Sequence, residues 1–282
     1  MYKFPIGVML ESFRVSKFEA IEKAASIGAS GIQMYATNGE NSPENLTAAD
    51  RRELLDRIKS HGMVFSALCG DLGQGFGDSE KNPDLIERSK RILDLAKDLE
   101  TDIVTTHVGV IPNDKNHPRY EIMQKACYEL SRYADSVNAH FAIETGPETA
   151  KTLKTFLDSL NSKGVAVNLD PANFVMVTGD DPVESVYTLK DYIVHTHAKD
   201  GRKLLEKDPE ILYGINIENE IESAKAFIEL PLGEGDVDFD NYLKALEEVG
   251  YKGFLTIERE AGDKPLEDIK MAVDFLNRKM GV

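Results

Sequence analysis

Acids and imidazoles recur at the ends of four apolar runs in the second half of the chain. FAIETG carries Glu144 near its tip, VAVNLD ends on Asp170, IVHTHAKD holds His195 and His197, and GFLTIERE holds Glu258 and Glu260. If these runs are successive parallel strands of a barrel, their C-terminal ends bring carboxylate, carboxylate, imidazole and carboxylate to one rim. Three carboxylates crowded together repel one another. A divalent cation relieves that repulsion and binds oxygen and imidazole well. An oxygen-rich set with one histidine suits Mn, Mg or Co, and Zn also fits, so one divalent metal ion is the expected cofactor. Each residue also has a plainer role. Asp170 precedes Pro171 and reads as a turn starter. His195 and His197 share a strand face, and either alone reads as a satisfied core histidine. Glu258, beside Arg259 and Glu260, reads as part of a charged rim. The joint occurrence on four consecutive runs is what carries the metal reading. His107, in TTHVG at the end of an earlier run, points to the same rim, as a group that faces the substrate or supports one that does, or as a buried hydrogen-bonded histidine.

The elements that must position these residues alternate along the whole chain. Runs rich in Val, Ile, Thr and Phe predict strands at Ile6–Ser12, Gly31–Ala36, Val64–Asp71, Asp102–Gly109, Phe141–Gly146, Val165–Asp170, Ile193–Asp200 and Gly253–Glu260. Amphipathic segments between and after them predict helices. Lys17–Ile27 places Phe18, Ile21, Ala24 and Ala25 on one face. Thr47–His61 opens with a capping signal, Thr47 to Asp50. Pro83–Leu99, Pro118–Val137, Glu148–Leu160, Pro182–Leu189, Phe239–Val249 and Pro265–Lys279 complete the set. Eight strand–helix units are what a closed (β/α)8 TIM barrel requires. An open doubly wound sheet would need a glycine turn after the first strand, and Glu11-Ser12-Phe13-Arg14 is not one. Residues 1–282 therefore read as a single barrel domain with an insertion near Gly201–Asp236, a candidate lid.

Composition narrows the partners. Asp and Glu number 49 against 33 Lys and Arg, a formal charge of −16. A nucleic-acid surface needs the opposite balance, so no nucleic-acid partner is expected. No run approaches the ~18 apolar residues of a membrane span, and none is expected. The two cysteines, Cys69 and Cys127, show no metal or redox spacing. With no leader visible at MYKFPIGVMLES, a reducing cytoplasm is the expected compartment. A homo-oligomer is compatible with the sequence, but no exposed apolar stripe marks its interface. Gly233-Glu234-Gly235 is the nearest thing to a phosphate cradle and reads more simply as a turn before a helix.

TTHVG, FAIETG, VNLDPANF, VHTHAKDG, ELPLGEGDVDF and FLTIERE together resemble the xylose isomerase-like TIM barrel superfamily. Within it the chain is similar to the sugar phosphate isomerase/epimerase group, most specifically over residues 141–260. The resemblance implies a metal site of Glu144, Asp170, His197 and Glu258, with Glu144 and Glu258 also acting as the acid/base pair. It implies substrate contacts among His107, Asn173, His195, Arg202 and Lys203. Asn173 departs from the pattern, because ketose 3-epimerases of the superfamily have histidine there. Apurinic endonucleases of the superfamily need additional histidines that this chain lacks. The implied activity is metal-dependent isomerisation or epimerisation of a ketose or sugar phosphate through an enediolate. Three other readings remain: a lyase, dehydratase or C-glycoside deglycosylating subunit acting on a 3-keto sugar; a sugar-binding module; and a nuclease for abasic DNA.

Overall fold

The computed structural model describes residues 2–215 and 226–282. Eight parallel strands close into a barrel: β1 (Ile6–Met9), β2 (Gly31–Tyr35), β3 (Val64–Cys69), β4 (Ile103–Thr106), β5 (His140–Glu144), β6 (Val165–Leu169), β7 (Ile193–Ala198) and β10 (Leu255–Ile257), the last pairing back onto β1. Between β7 and β10 lies an antiparallel hairpin outside the barrel, β8 (Asp200–Lys203) with β9 (Phe227–Leu230). The wall is formed by α1 (Lys17–Ser26), α2 (Ala48–Ser60), α3 (Asn82–Asp98), α4 (Pro118–Ser136), α5 (Ala150–Leu160), α6 (Pro182–Leu189), α7 (Phe239–Glu248) and α8 (Pro265–Met280).

Strands of a barrel are covered by helices outside and by each other inside. They are therefore apolar on both faces, and all five residues of β6 are buried. The helices show the complementary pattern. In α3 the buried set includes Leu85, Ile86, Ile92, Leu93 and Ala96, one stripe against the sheet. Thr47 and Asp50 cap α2 reciprocally, each backbone N–H donating to the other's side chain at 2.9 and 3.3 Å. Inside the barrel, Gly7 lets the β10 strand approach, since a Cβ there would lie 2.6 Å from the Thr256 hydroxyl. No helix among the described residues is long and apolar enough to cross a membrane.

The strands are shorter than their apolar runs. The first ends at Met9 and winds into a 3-10 turn at Leu10–Phe13; the last keeps only Leu255–Ile257 of the expected Gly253–Glu260. Beyond the last strand, Glu258 and Glu260 leave the ladder and line the mouth of the barrel. The expected loop insertion carries the hairpin and a short helix, Pro209–Leu212; its residues 216–225 lie outside the described residues.

Candidate metal centre and active site

Glu144, Asp170, His197 and Glu258 converge at the mouth of the barrel. One ligand atom from each lies within 4.8 Å of all the others, and all four residues are buried. His197 Nδ1 is at the centre, 3.6 Å from Glu144, 3.5 Å from Asp170 and 3.4 Å from Glu258.

The neighbours settle how these atoms point. Gln33, on β2, donates from Nε2 to the Thr105 hydroxyl at 2.9 Å, which turns its Oε1 toward His197 Nε2 at 3.0 Å. The His197 proton therefore sits on Nε2 and leaves Nδ1 with a free lone pair. Asn168 approaches that same Nε2 at 3.3 Å, but its amide donates to Glu144 Oε2 at 3.1 Å, the bond that the Gln33 acceptor leaves open. Asp170 serves two roles at once. Its Oδ1 caps the turn beginning at Pro171, accepting from the N–H groups of Ala172 and Asn173, while Oδ2 has no partner. His197 Nδ1 is likewise buried without a partner. Two orphaned, buried acceptors among three carboxylates are what a cation-binding site requires and what a packed core avoids. The residues present fit a divalent ion.

The electrostatics agree. Burial opposes charge on Glu144, yet the imidazoles of His107 and His197 and the Lys199 ammonium hold its carboxyl below the usual range. Burial would also lower the His197 pKa, but Glu258, Glu144 and Asp170 raise it to about 9. The same field attracts a divalent cation, and proton and cation compete for Nδ1.

A cavity of about 230 Å³ opens above the cluster. Glu144, Glu258, His107 and Asn173 line it. His107 Nε2 lies 3.4 Å from Glu144, and Asn173 donates to the same carboxylate at 3.3 Å. The other expected substrate contacts lie elsewhere. His195 is fully buried below the mouth, held between Asn168 at 2.8 Å and Thr256 at 2.9 Å; its role is to brace Asn168. Arg202 and Lys203 sit on β8, whose hairpin carries them off the barrel, where they pair with Asp236 and Glu206. The cation that does reach the cavity is Lys199, which bonds Glu258 at 2.8 Å and Glu260 at 2.5 Å. Its place two residues after His197, on the same strand face, was the sequence signal for it. Asp71, Tyr35, Tyr213 and Phe227 also line it, the last two delivered by the insertion.

A family model described as xylose isomerase-like TIM barrel matches residues 21–279. The chain belongs to the xylose isomerase-like TIM barrel family. Its curated relatives include an uncharacterized protein of Methanocaldococcus jannaschii, 24% identical over 85% of this chain and 78% of that one. An inosose dehydratase of Clostridium perfringens is 27% identical over 50% of this chain, a match spanning 46% of the relative's own length. Among solved structures, a xylose isomerase domain protein from Planctomyces limnophilus superposes with a TM-score of 0.80 at 24% identity, covering 99% of this chain and 96% of the other. A D-psicose 3-epimerase shares the fold at 15% identity, with a TM-score of 0.73 over 99% of this chain and all of the other.

Proposed function

We propose that this family member is a divalent-metal-dependent enzyme that moves a proton on the carbon next to the carbonyl of a sugar or a related polyol. The observation that carries the reading is the pair of buried, partnerless acceptors, Asp170 Oδ2 and His197 Nδ1, set between two glutamates at the floor of the cavity. A bound divalent ion supplies electron withdrawal from a carbonyl and its neighbouring hydroxyl, which favours loss of the adjacent proton. The chain's own groups do the rest. Glu144 and Glu258 come from β5 and from the loop after β10, so they face the cavity from different sides of the barrel. One accepts the carbon-bound proton and the other returns a proton to the opposite face or to the adjacent carbon. His107 and Asn173 orient Glu144, while Lys199 orients Glu258. The apolar side chains of Leu212, Tyr213 and Phe227 shield the enediolate from water.

The inosose dehydratase relatives favour a second reading on the same machinery. Proton loss would be followed by departure of a β-hydroxyl as water, a dehydration in place of an isomerisation. One experiment addresses both. The protein is purified without chelator and assayed for metal, then incubated in D2O with ketoses and inososes and followed by NMR. About one metal per chain, lost in Glu258→Gln, with deuterium entering the carbon next to the carbonyl, supports the reading. An isomer or a dehydrated product then separates its two forms. Deuterium uptake that continues undiminished in Glu144→Gln would remove that residue from the proton-transfer role.

A further inference from the structure

We infer that the cavity takes an uncharged polyhydroxylated carbonyl compound of monosaccharide or cyclitol size and rejects its phosphate ester. This rests on the proposed enzyme reading and narrows its substrate. The first support is where the backbone donors point. Barrels that hold phosphate do so with N–H groups of the loops after the seventh and eighth barrel strands. Here those donors already serve carboxylates of the chain itself. After β7, the Asp200 side chain accepts from the N–H groups of Gly233, Gly235 and Val237 at 2.9, 3.0 and 3.2 Å. The glycine turn that sequence suggested as a cradle is thereby filled from within. After β10, the Glu229 side chain accepts from the N–H groups of Glu260 and Ala261 at 3.1 and 3.2 Å. Both places where a phosphate dianion would settle are held by a like charge.

The second support is the charge around the cavity. The floor and walls carry five carboxylates, from Asp71, Glu144, Asp170, Glu258 and Glu260. One divalent ion and the Lys199 ammonium leave this set two negative charges in excess; protonation of His107 would still leave one. Arg259 and Arg14, close to the rim, are committed. Arg259 is divided between Glu229 at 2.5 Å and Asp268 at 2.8 Å, and Arg14 donates to the carbonyls of Glu260, Ala261 and Gly262. No guanidinium, the group anion recognition usually employs, lines the cavity itself; Arg119, in the adjoining cleft, pairs with Glu210.

The third support is shape. The space above the cluster measures about 230 Å³. It is smaller than the ~300–1,000 Å³ typical of drug-sized sites. Carboxylates and His107 share the lining with Leu212, Phe227 and the Tyr213 ring, which packs edge-on against His107. Such a wall matches a small ring with hydroxyls at its edge and C–H bonds on its face.

The test is calorimetric titration of the metal-loaded protein with matched pairs: D-fructose against D-fructose 6-phosphate, and an inosose against its phosphate. Inorganic phosphate serves as a third probe, and each titration is run at low and high salt. The neutral member of a pair should bind at least tenfold tighter than its ester, with little response to salt. Glu260→Gln should narrow that ratio by several-fold, because it removes one of the repelling charges. Tighter binding of an ester, weakening as salt rises, overturns the neutral-substrate inference but leaves the enzyme reading standing if the ester exchanges its proton in D2O. If no member of any pair binds or exchanges although metal is bound, both fall.

Discussion

Replacing Gln33 with leucine isolates the contact that orients the central ligand. Gln33 is fully buried and lies outside the lining of the cavity above the cluster, so its effect on the metal passes through His197. Its Oε1 is the acceptor for the His197 Nε2–H at 3.0 Å, and its own amide is anchored on Thr105. Leucine has a similar volume, which limits the cavity term. Two hydrogen bonds are lost, to Thr105 and to His197, and the buried His197 N–H is left without an acceptor, at a cost of about 1–3 kcal/mol. Part of that cost falls on folding. The part that falls on the site appears as imidazoles in the wrong tautomer or turned away, each of which removes Nδ1 as a ligand. Loss of such a supporting contact typically weakens metal binding by about 10–100-fold, or ~1.4–2.7 kcal/mol, the same range as the hydrogen-bond term. Competition against a chelating dye gives the affinity, and thermal unfolding without metal gives the folding share. Gln33→Glu keeps an acceptor and should retain more of the affinity. An affinity unchanged in Gln33→Leu would show that His197 does not need Nε2 held, and the ligand assignment would lose its orientation argument.

Two further outcomes follow from buried charges. Glu148 is buried with neither oxygen in a hydrogen bond of normal geometry, and burial raises its pKa to about 8, with the Ile111 backbone offsetting only part. An acid whose folded pKa lies above its unfolded value stabilises the fold below the unfolded pKa and loses that contribution as pH rises through the folded one. Stability should therefore decline from about pH 5 to pH 8, and Glu148→Gln should flatten that decline by on the order of a few kcal/mol, read from denaturant midpoints across pH. A variant whose profile parallels the parent's would place the titration elsewhere. Lys199 is buried between Glu258 and Glu260. Lys199→Met should destabilise the metal-free protein by about 3 kcal/mol, as breaking a buried pair does, and the loaded protein by less, because the cation answers the same carboxylates. Equal losses in both forms would mean that the ammonium and the ion do not share that field.

The barrel was legible because its demands are local and repeated. Each strand had to be apolar on both faces and each helix on one, and eight such alternations leave little choice of architecture. The convergence of Glu144, Asp170, His197 and Glu258 was legible for a related reason. A functional side chain in this fold must end a strand, so residue type at strand ends carries information that residue type elsewhere does not. Asp170 shows the limit of reading one residue at a time. A turn role and a ligand role looked like alternatives, yet Oδ1 alone caps the turn and Oδ2 is left without a partner at the mouth.

Depth and direction were not legible. His195 and His197 have the same parity, but β6 and β7 pair with a register shift at Val167/Asn168 that sets Asn168 opposite His195. That stagger puts His195 one layer down, against Asn168 and Thr256, and leaves His197 at the mouth. Register across strands is a long-range property, invisible in either strand alone. Arg202 and Lys203 were misplaced for a similar reason. The chain after β7 turns outward to pair with β9, a strand whose sequence, Phe227–Leu230, has little meaning until Asp200–Lys203 is beside it. The hairpin removes two cations from the mouth and brings in Phe227, and the carboxylates at its base, Asp200 and Glu229, fill the loops where an anion would otherwise bind. The insertion thus acts on selectivity through what it takes away from the rim as much as through what it adds.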